Sequence, residues 1–124
     1  MDLILENPDY AYFLRGANAF EGRVNDRRLT RSFLVAPDRL VEDWPVRDAG
    51  TMTPADLEPA LALDPEAILL GSGAGQVFPP PEVMAACLQR GIGLEVMTNA
   101  AVARTYTVMA SEQRRVVAAF ILPG

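Results

Sequence analysis

The residues with the most chemical promise are Gly71, Ser72, Gly73 and Gly75 in the stretch "AILLGSGAGQVFPPPEVM", residues 67–84. A glycine-rich loop between an apolar strand and a helix is a common phosphate cradle, because small residues let backbone N–H groups close on an anion. Gly71-Ser72-Gly73 fits the G-x-G start of the dinucleotide fingerprint, and Glu95 lies about twenty residues on, where a ribose-binding acid belongs. The rest of the pattern disagrees. The third glycine position is Gln76, and Pro79-Pro80-Pro81 removes N–H donors from the start of the helix. Glu95 alternates with Leu94 and Val96, which is the pattern of an outward-facing strand carboxylate. The glycines are therefore read as a sharp strand-ending turn, not a nucleotide cradle.

Nucleophilic and acid–base chemistry has few parts to work with. The chain has no histidine and no lysine, so all eleven basic residues are arginine. That excludes Ser-His-Asp and Cys-His relays, histidine zinc sites, Schiff-base lysines and the lysine of a Walker loop. Cys87 falls mid-helix on an apolar stripe with no base beside it, and reads as a small core residue. Glu42 and Asp43 are adjacent in an extended segment, so they point to opposite faces and cannot share a proton. No catalytic residue, metal site or cofactor is expected.

The elements that position the glycine loop follow from periodicity and punctuation. A hairpin is expected from a strand near 19–24, a turn at Asn25-Asp26 and a strand near 29–36, with a further short strand in "RLVEDW". Thr53, Pro54 and Asp56 stand as N-cap, first helical residue and third helical residue of a helix whose apolar face is Leu57, Ala60 and Leu61. Pro59 makes that helix short or irregular. "AILL" reads as a strand buried on both faces. A helix from about Pro80 to Arg90 follows, with Val83/Cys87 and Met84/Leu88 on adjoining stripes and Gly91 past its end. "GLEVM" is the next strand, Thr98 or Asn99 caps a helix carrying Val102, Tyr106 and Met109 on one side, and "VVAAFIL" is the last strand.

Strand–helix alternation after residue 66 predicts an α/β layered domain with parallel pairing in its second half, and the N-terminal antiparallel hairpin makes the sheet mixed. If strands 67–71 and 93–97 pair in parallel, their C-terminal ends share one sheet edge, where open α/β sheets keep their sites. Gly71, Ser72, Gly73, Gln76, Thr98, Asn99 and Arg104 would then form a binding surface with Phe78 and Tyr106 as aromatic walls. The alternative for the same residues is a helix cap at Thr98 or Asn99, a surface Arg104 and a core Tyr106.

The bulk properties narrow the partners. At 124 residues, half of them hydrophobic, the chain is expected to be one domain over 1–124, with residues 1–17 a variable lead-in. Its net charge of −5 opposes a nucleic-acid partner. Arg27, Arg28 and Arg31, like Arg114 and Arg115, read as solvated strand-face charges. No apolar run reaches the ~18 residues of a membrane helix, and "MDLILENPDY" lacks the basic region of a secretory signal. With a single cysteine, these features point to the cytoplasm of a prokaryote or a processed organelle protein.

Several segments together resemble one family. "RVNDRRLTRSFLVAPDRLVEDWPV" and the run from "ILLGSGAGQVFPPPEVM" to "VVAAFILP" follow the order of domain-of-unknown-function family 498, which includes the mitochondrial assembly factor three of respiratory complex I and small prokaryotic proteins. The family's strand-ending "GTG" is matched by Gly71-Ser72-Gly73, followed by Gln76 and Phe78-Pro79. Its "RGIGVEVMDT" is matched by "RGIGLEVMTN", residues 90–99, and its "ACRTYN" by "VARTYT", residues 102–107. This chain departs from the pattern with Thr98 for aspartate, Asn99 for threonine, Ala103 for cysteine and Thr107 for asparagine, which weakens thiol or carboxylate chemistry at this edge. The resemblance implies a three-layer α/β domain and a non-enzymatic binding or assembly role through a protein partner, with homo-oligomers open. A small-molecule binding protein or enzyme using residues 71–78 and 98–106 is the alternative.

Overall fold

The computed structural model describes residues 10–124; the expectations placed on residues 1–9, the first part of the lead-in, lie outside the described residues. Strands β1 (Leu14–Ala17), β2 (Gly22–Val24) and β3 (Arg27–Leu29) form an antiparallel sheet in that order. The second sheet runs β5-β4-β8-β6-β7, where β4 is Phe33–Ala36, β5 Arg39–Val41, β6 Ala67–Gly71, β7 Gly93–Met97 and β8 Val116–Phe120. β6 pairs in parallel with both β7 and β8, and β4 pairs antiparallel with β8 and β5, so this sheet is mixed as expected.

Alternation along the central strands builds three layers. Leu34, Ala36, Ile68, Leu70, Val117 and Ala119 face one side, where Val83 and Cys87 of helix α2 (Pro81–Gln89) meet Trp44, Met52 and Leu57. Phe33, Val35, Leu69, Val116, Ala118 and Phe120 face the other, against helix α3 (Asn99–Ser111) and the inner residues of the three-stranded sheet. Both faces are covered, which is why β6 and β8 read as continuous apolar runs. Phe33 and Phe120 sit directly opposite each other in the β4–β8 register and stack at 4.8 Å. A cross-strand aromatic pair of this kind contributes roughly 0.5–1.5 kcal/mol beyond its buried area.

One expectation needs correction. The strand expected over 29–36 is two strands in different sheets, broken at 30–32. Buried Ser32 makes the corner: its hydroxyl donates to the Val46 carbonyl and accepts from the Leu122 N–H at 2.9 Å. The lead-in, in turn, already contains β1, held by the Asn25 side chain. Asn25 Oδ1 accepts from the Phe13 N–H at 3.0 Å, and its amide donates to the Ala11 carbonyl at 3.0 Å.

The helices carry their sequence signals. The segment after Thr53 forms a 3-10 turn (Pro54–Leu57) leading into a short helix α1 (Glu58–Leu61), and the Thr53 N–H donates to Asp56 Oδ2 at 2.8 Å. Pro59 is tolerated because it falls in the first turn of α1, where its missing N–H would have no partner. At the end of α2, Gly91 (φ 70°) donates to the Leu88 carbonyl and Ile92 to that of Cys87, both at 3.0 Å, closing a Schellman motif. Val83 and Cys87 point inward as expected, but Leu88 does not; it is 78% exposed on the opposite side of α2. Among the described residues no helix is long and apolar enough to cross a membrane.

Candidate functional site

β6 and β7 end side by side, and the chain beyond each is tied to the other. The Ser72 N–H donates to the Met97 carbonyl at 3.0 Å, and the Asn99 N–H donates to the Gly73 carbonyl at 2.9 Å. The loop is closed internally by Ser72, whose hydroxyl donates to the Gly75 carbonyl at 2.7 Å and accepts from the Val77 N–H at 2.9 Å. Gln76 reaches back across the sheet edge and donates its amide to the Val96 carbonyl at 2.8 Å. Thr98 caps α3 by accepting from the Ala101 N–H at 3.2 Å. The edge thus brings together Gly71, Ser72, Gly73, Gln76, Thr98 and Asn99.

Asn99 is the centre of this arrangement. It is fully buried. Its Oδ1 accepts from the Gly73 N–H at 3.2 Å, and its Nδ2 donates to the carbonyls of Asn18 at 2.9 Å and Ile121 at 3.1 Å. One side chain therefore joins the β1–β2 turn, the glycine loop, the start of α3 and the end of β8. Gly71 is glycine for this reason: a Cβ there would collide with Asn99 Oδ1. Gly73 instead serves the turn, with φ 106°. The N–H groups of Ser72, Gly73 and Val77 are all engaged within the protein, which leaves the loop poorly furnished as an anion cradle.

The remaining candidates divide. Phe78 is 58% exposed, just ahead of buried Pro79. Arg104 is exposed on α3, beyond the first turn. Tyr106 is not an aromatic wall of the edge. It is fully buried, donates its hydroxyl to the Tyr12 carbonyl at 2.7 Å and meets Tyr10 edge-on at 6.5 Å. Burial, first, and the neighbouring Tyr10 and Asp38 charges hold its phenol well above the ordinary value.

Two residues that sequence reasoning passed over also reach this edge. Asn18 and Phe20, on the β1–β2 turn, line an open hollow of 380 Å³ with Ala19, Gly73, Ala74, Thr98 and Ala100. Phe20 is 71% exposed. The only available signal was a lone phenylalanine among turn residues, with nothing to link it to a loop fifty residues away. Among the described residues no titratable group lines the hollow, and the side chains that do are suited to apolar contact. A second hollow, of 330 Å³, lies between Pro37, Asp38, Leu63 and the C-terminal end of α3, and shares no residue with the loop.

Comparison with known proteins places the fold and its lineage. A 13 kDa major membrane protein of Francisella tularensis is 30% identical over 71 residues, which are 57% of this chain and 58% of that protein. The chain therefore spans little more than half the length of that curated relative. An NMR structure from Xanthomonas campestris superposes with a TM-score of 0.85 at 55% identity, covering 100% of this chain and 94% of that one. A Mth938-like domain from Bordetella pertussis gives a TM-score of 0.83 at 27% identity, again over 100% of this chain and 94% of that one. The family described as Protein of unknown function (DUF498/DUF598) matches residues 16–121, across both sheets and the whole of the loop edge, and the chain belongs to that family.

Proposed function

We propose that this chain is a non-enzymatic docking module that holds a protein partner at the edge formed by the glycine loop and the start of α3. The observation that carries the reading is that each segment meeting at this edge, the β1–β2 turn and the glycine loop, holds large apolar side chains out to solvent. Phe20, Val77 and Phe78 are 71%, 44% and 58% exposed, while the backbone beneath them is fastened by Asn99, Ser72 and Gln76. Large apolar side chains held out to solvent on a rigid frame are the composition of an interface centre, since little conformational freedom is lost on binding.

The resemblance to the family of complex I assembly factor three supports an assembly role, in which the partner is a subunit of a membrane complex or one of its assembly proteins. A partner at the membrane also accords with the name of the Francisella relative. The experiment is a tagged pull-down at native expression, comparing the unaltered chain with Phe78→Asp and with Leu88→Asp, an even more exposed apolar site on α2. Loss of a reproducible partner in Phe78→Asp but not in Leu88→Asp supports the reading. Equal recovery from both variants counts against it.

A further inference from the structure

The outer edge of β7 has an unusual combination of open and closed hydrogen-bonding positions. β7 ends the five-stranded sheet and is its longest edge strand, five residues against three in β5. Gly93 donates to Glu66 and Met97 accepts from Ser72, so residues 93, 95 and 97 turn their backbone groups towards β6. Leu94 and Val96 turn theirs outward. Among the described residues, the only bond made by these outward groups is the one from Gln76 Nε2 to the Val96 carbonyl at 2.8 Å.

We infer that β7 receives an added parallel strand from the partner, with a basic residue beside Glu95. The inference rests on the docking reading above and names its mode. In a parallel ladder, one incoming residue opposite Glu95 donates to the Leu94 carbonyl and accepts from the Val96 N–H. Neither of those groups has a hydrogen-bond partner among the described residues. Antiparallel addition through Val96 would instead need the Val96 carbonyl, which Gln76 occupies, and antiparallel addition through Leu94 would leave the backbone N–H of the residue opposite Glu95 unbonded, so methylation of that nitrogen separates the two directions. The Gln76 amide stands where the N–H of the incoming strand two residues later would lie, so it marks the end of the added ladder and joins it to the exposed Val77 and Phe78.

Charge selects the occupant. Glu95 is exposed and has no ion pair among the described residues. Residues directly opposite in a ladder share a face, so a lysine or arginine there is favoured and an acid is opposed. A second copy of this chain pairing antiparallel about Glu95 would set Glu95 against its own image. Self-pairing is disfavoured on that ground.

The test uses the ¹⁵N-labelled chain and a capped heptapeptide of alternating valine and threonine with arginine at its centre. Two control peptides carry glutamate at the centre, or the same arginine with its backbone nitrogen methylated. The expected result is amide shifts at Val96 and neighbouring β7 residues, with the arginine peptide bound about fivefold more tightly than the glutamate one. The methylated peptide keeps its charge but lacks the donor for Leu94, and binding should be lost. Glu95→Arg should reverse the charge preference. Equal binding of the methylated peptide, shifts centred elsewhere, no shifts at millimolar peptide, or dimerisation of the free chain through this edge would overturn the inference. Adding Glu95→Arg to the pull-down separates the two readings: if Phe78→Asp loses the partner and Glu95→Arg keeps it, strand addition fails and docking stands. If both variants keep it, the docking reading fails.

Discussion

The contact between Gly71 and Asn99 makes a quantitative prediction. Asn99→Ala removes three hydrogen bonds and leaves the Gly73 N–H and the Asn18 and Ile121 carbonyls without that partner. At about 1 kcal/mol for each net bond, the loss is about 3 kcal/mol. Gly71→Ala keeps every donor and acceptor but drives a methyl group into Asn99 Oδ1. Overpacking of this kind costs roughly 1–3 kcal/mol. In the double variant the methyl group occupies space the amide has left, so the total should stay near 3 kcal/mol and the two changes should couple by about 2 kcal/mol. Urea unfolding at constant m reads all three values, and the thermal shift for Asn99→Ala is a fall of about 11 °C for a chain of this length. Additivity within ~0.5 kcal/mol, or a Gly71→Ala variant as stable as the parent, would refute the assignment of Gly71 to this close approach.

Other consequences follow from single groups. The Tyr106 phenol is held above its ordinary 10.0 by burial, so the unfolded chain releases this proton before the folded one does. The associated stability is intact below about pH 10 and falls above it by up to about 1.4 kcal/mol per pH unit; a pH series of urea midpoints should show this slope, reduced in Tyr106→Phe. Burial also raises the Cys87 thiol, partly offset by Arg90, so an aromatic disulfide reagent should label it only as fast as the chain opens. Labelling at the rate of a free thiol would contradict its place in the core. Gly91→Ala should cost about 1 kcal/mol through the φ of 70° in the Schellman motif, read as a shift in the urea midpoint.

Local signals in the sequence specified most of the elements. Thr53 with Asp56, Gly91 after Arg90 and Thr98 before α3 mark helix ends through bonds to residues a few positions away, and each is found at its expected terminus. The apolar run at 67–70 fixed a strand covered on both faces, and its parallel pairing with β7 put the glycine loop next to Thr98. What pattern could not supply was long-range. Ser32 breaks the strand over 29–36 because it bonds Val46 and Leu122, and nothing in "LTRSF" announces those partners. Asn99 looked like one of two capping residues, whereas its three side-chain partners lie on segments far apart in the chain. Tyr106 was legible in its helical spacing as a core residue, and its candidacy for the edge depended only on its nearness in sequence to Thr98. Phe20 reaches the loop only through the fold of the β1–β2 turn.

The docking edge is tested most directly by placing a photo-reactive benzoylphenylalanine in the living cell at Val77 or Phe78, and at Leu88 or Val108 as comparably apolar exposed positions elsewhere. One and the same cross-linked partner is expected from positions 77 and 78, and none of that product from 88 or 108. An adduct formed equally from all four positions, or formed only from α2 and α3, would contradict docking at this edge.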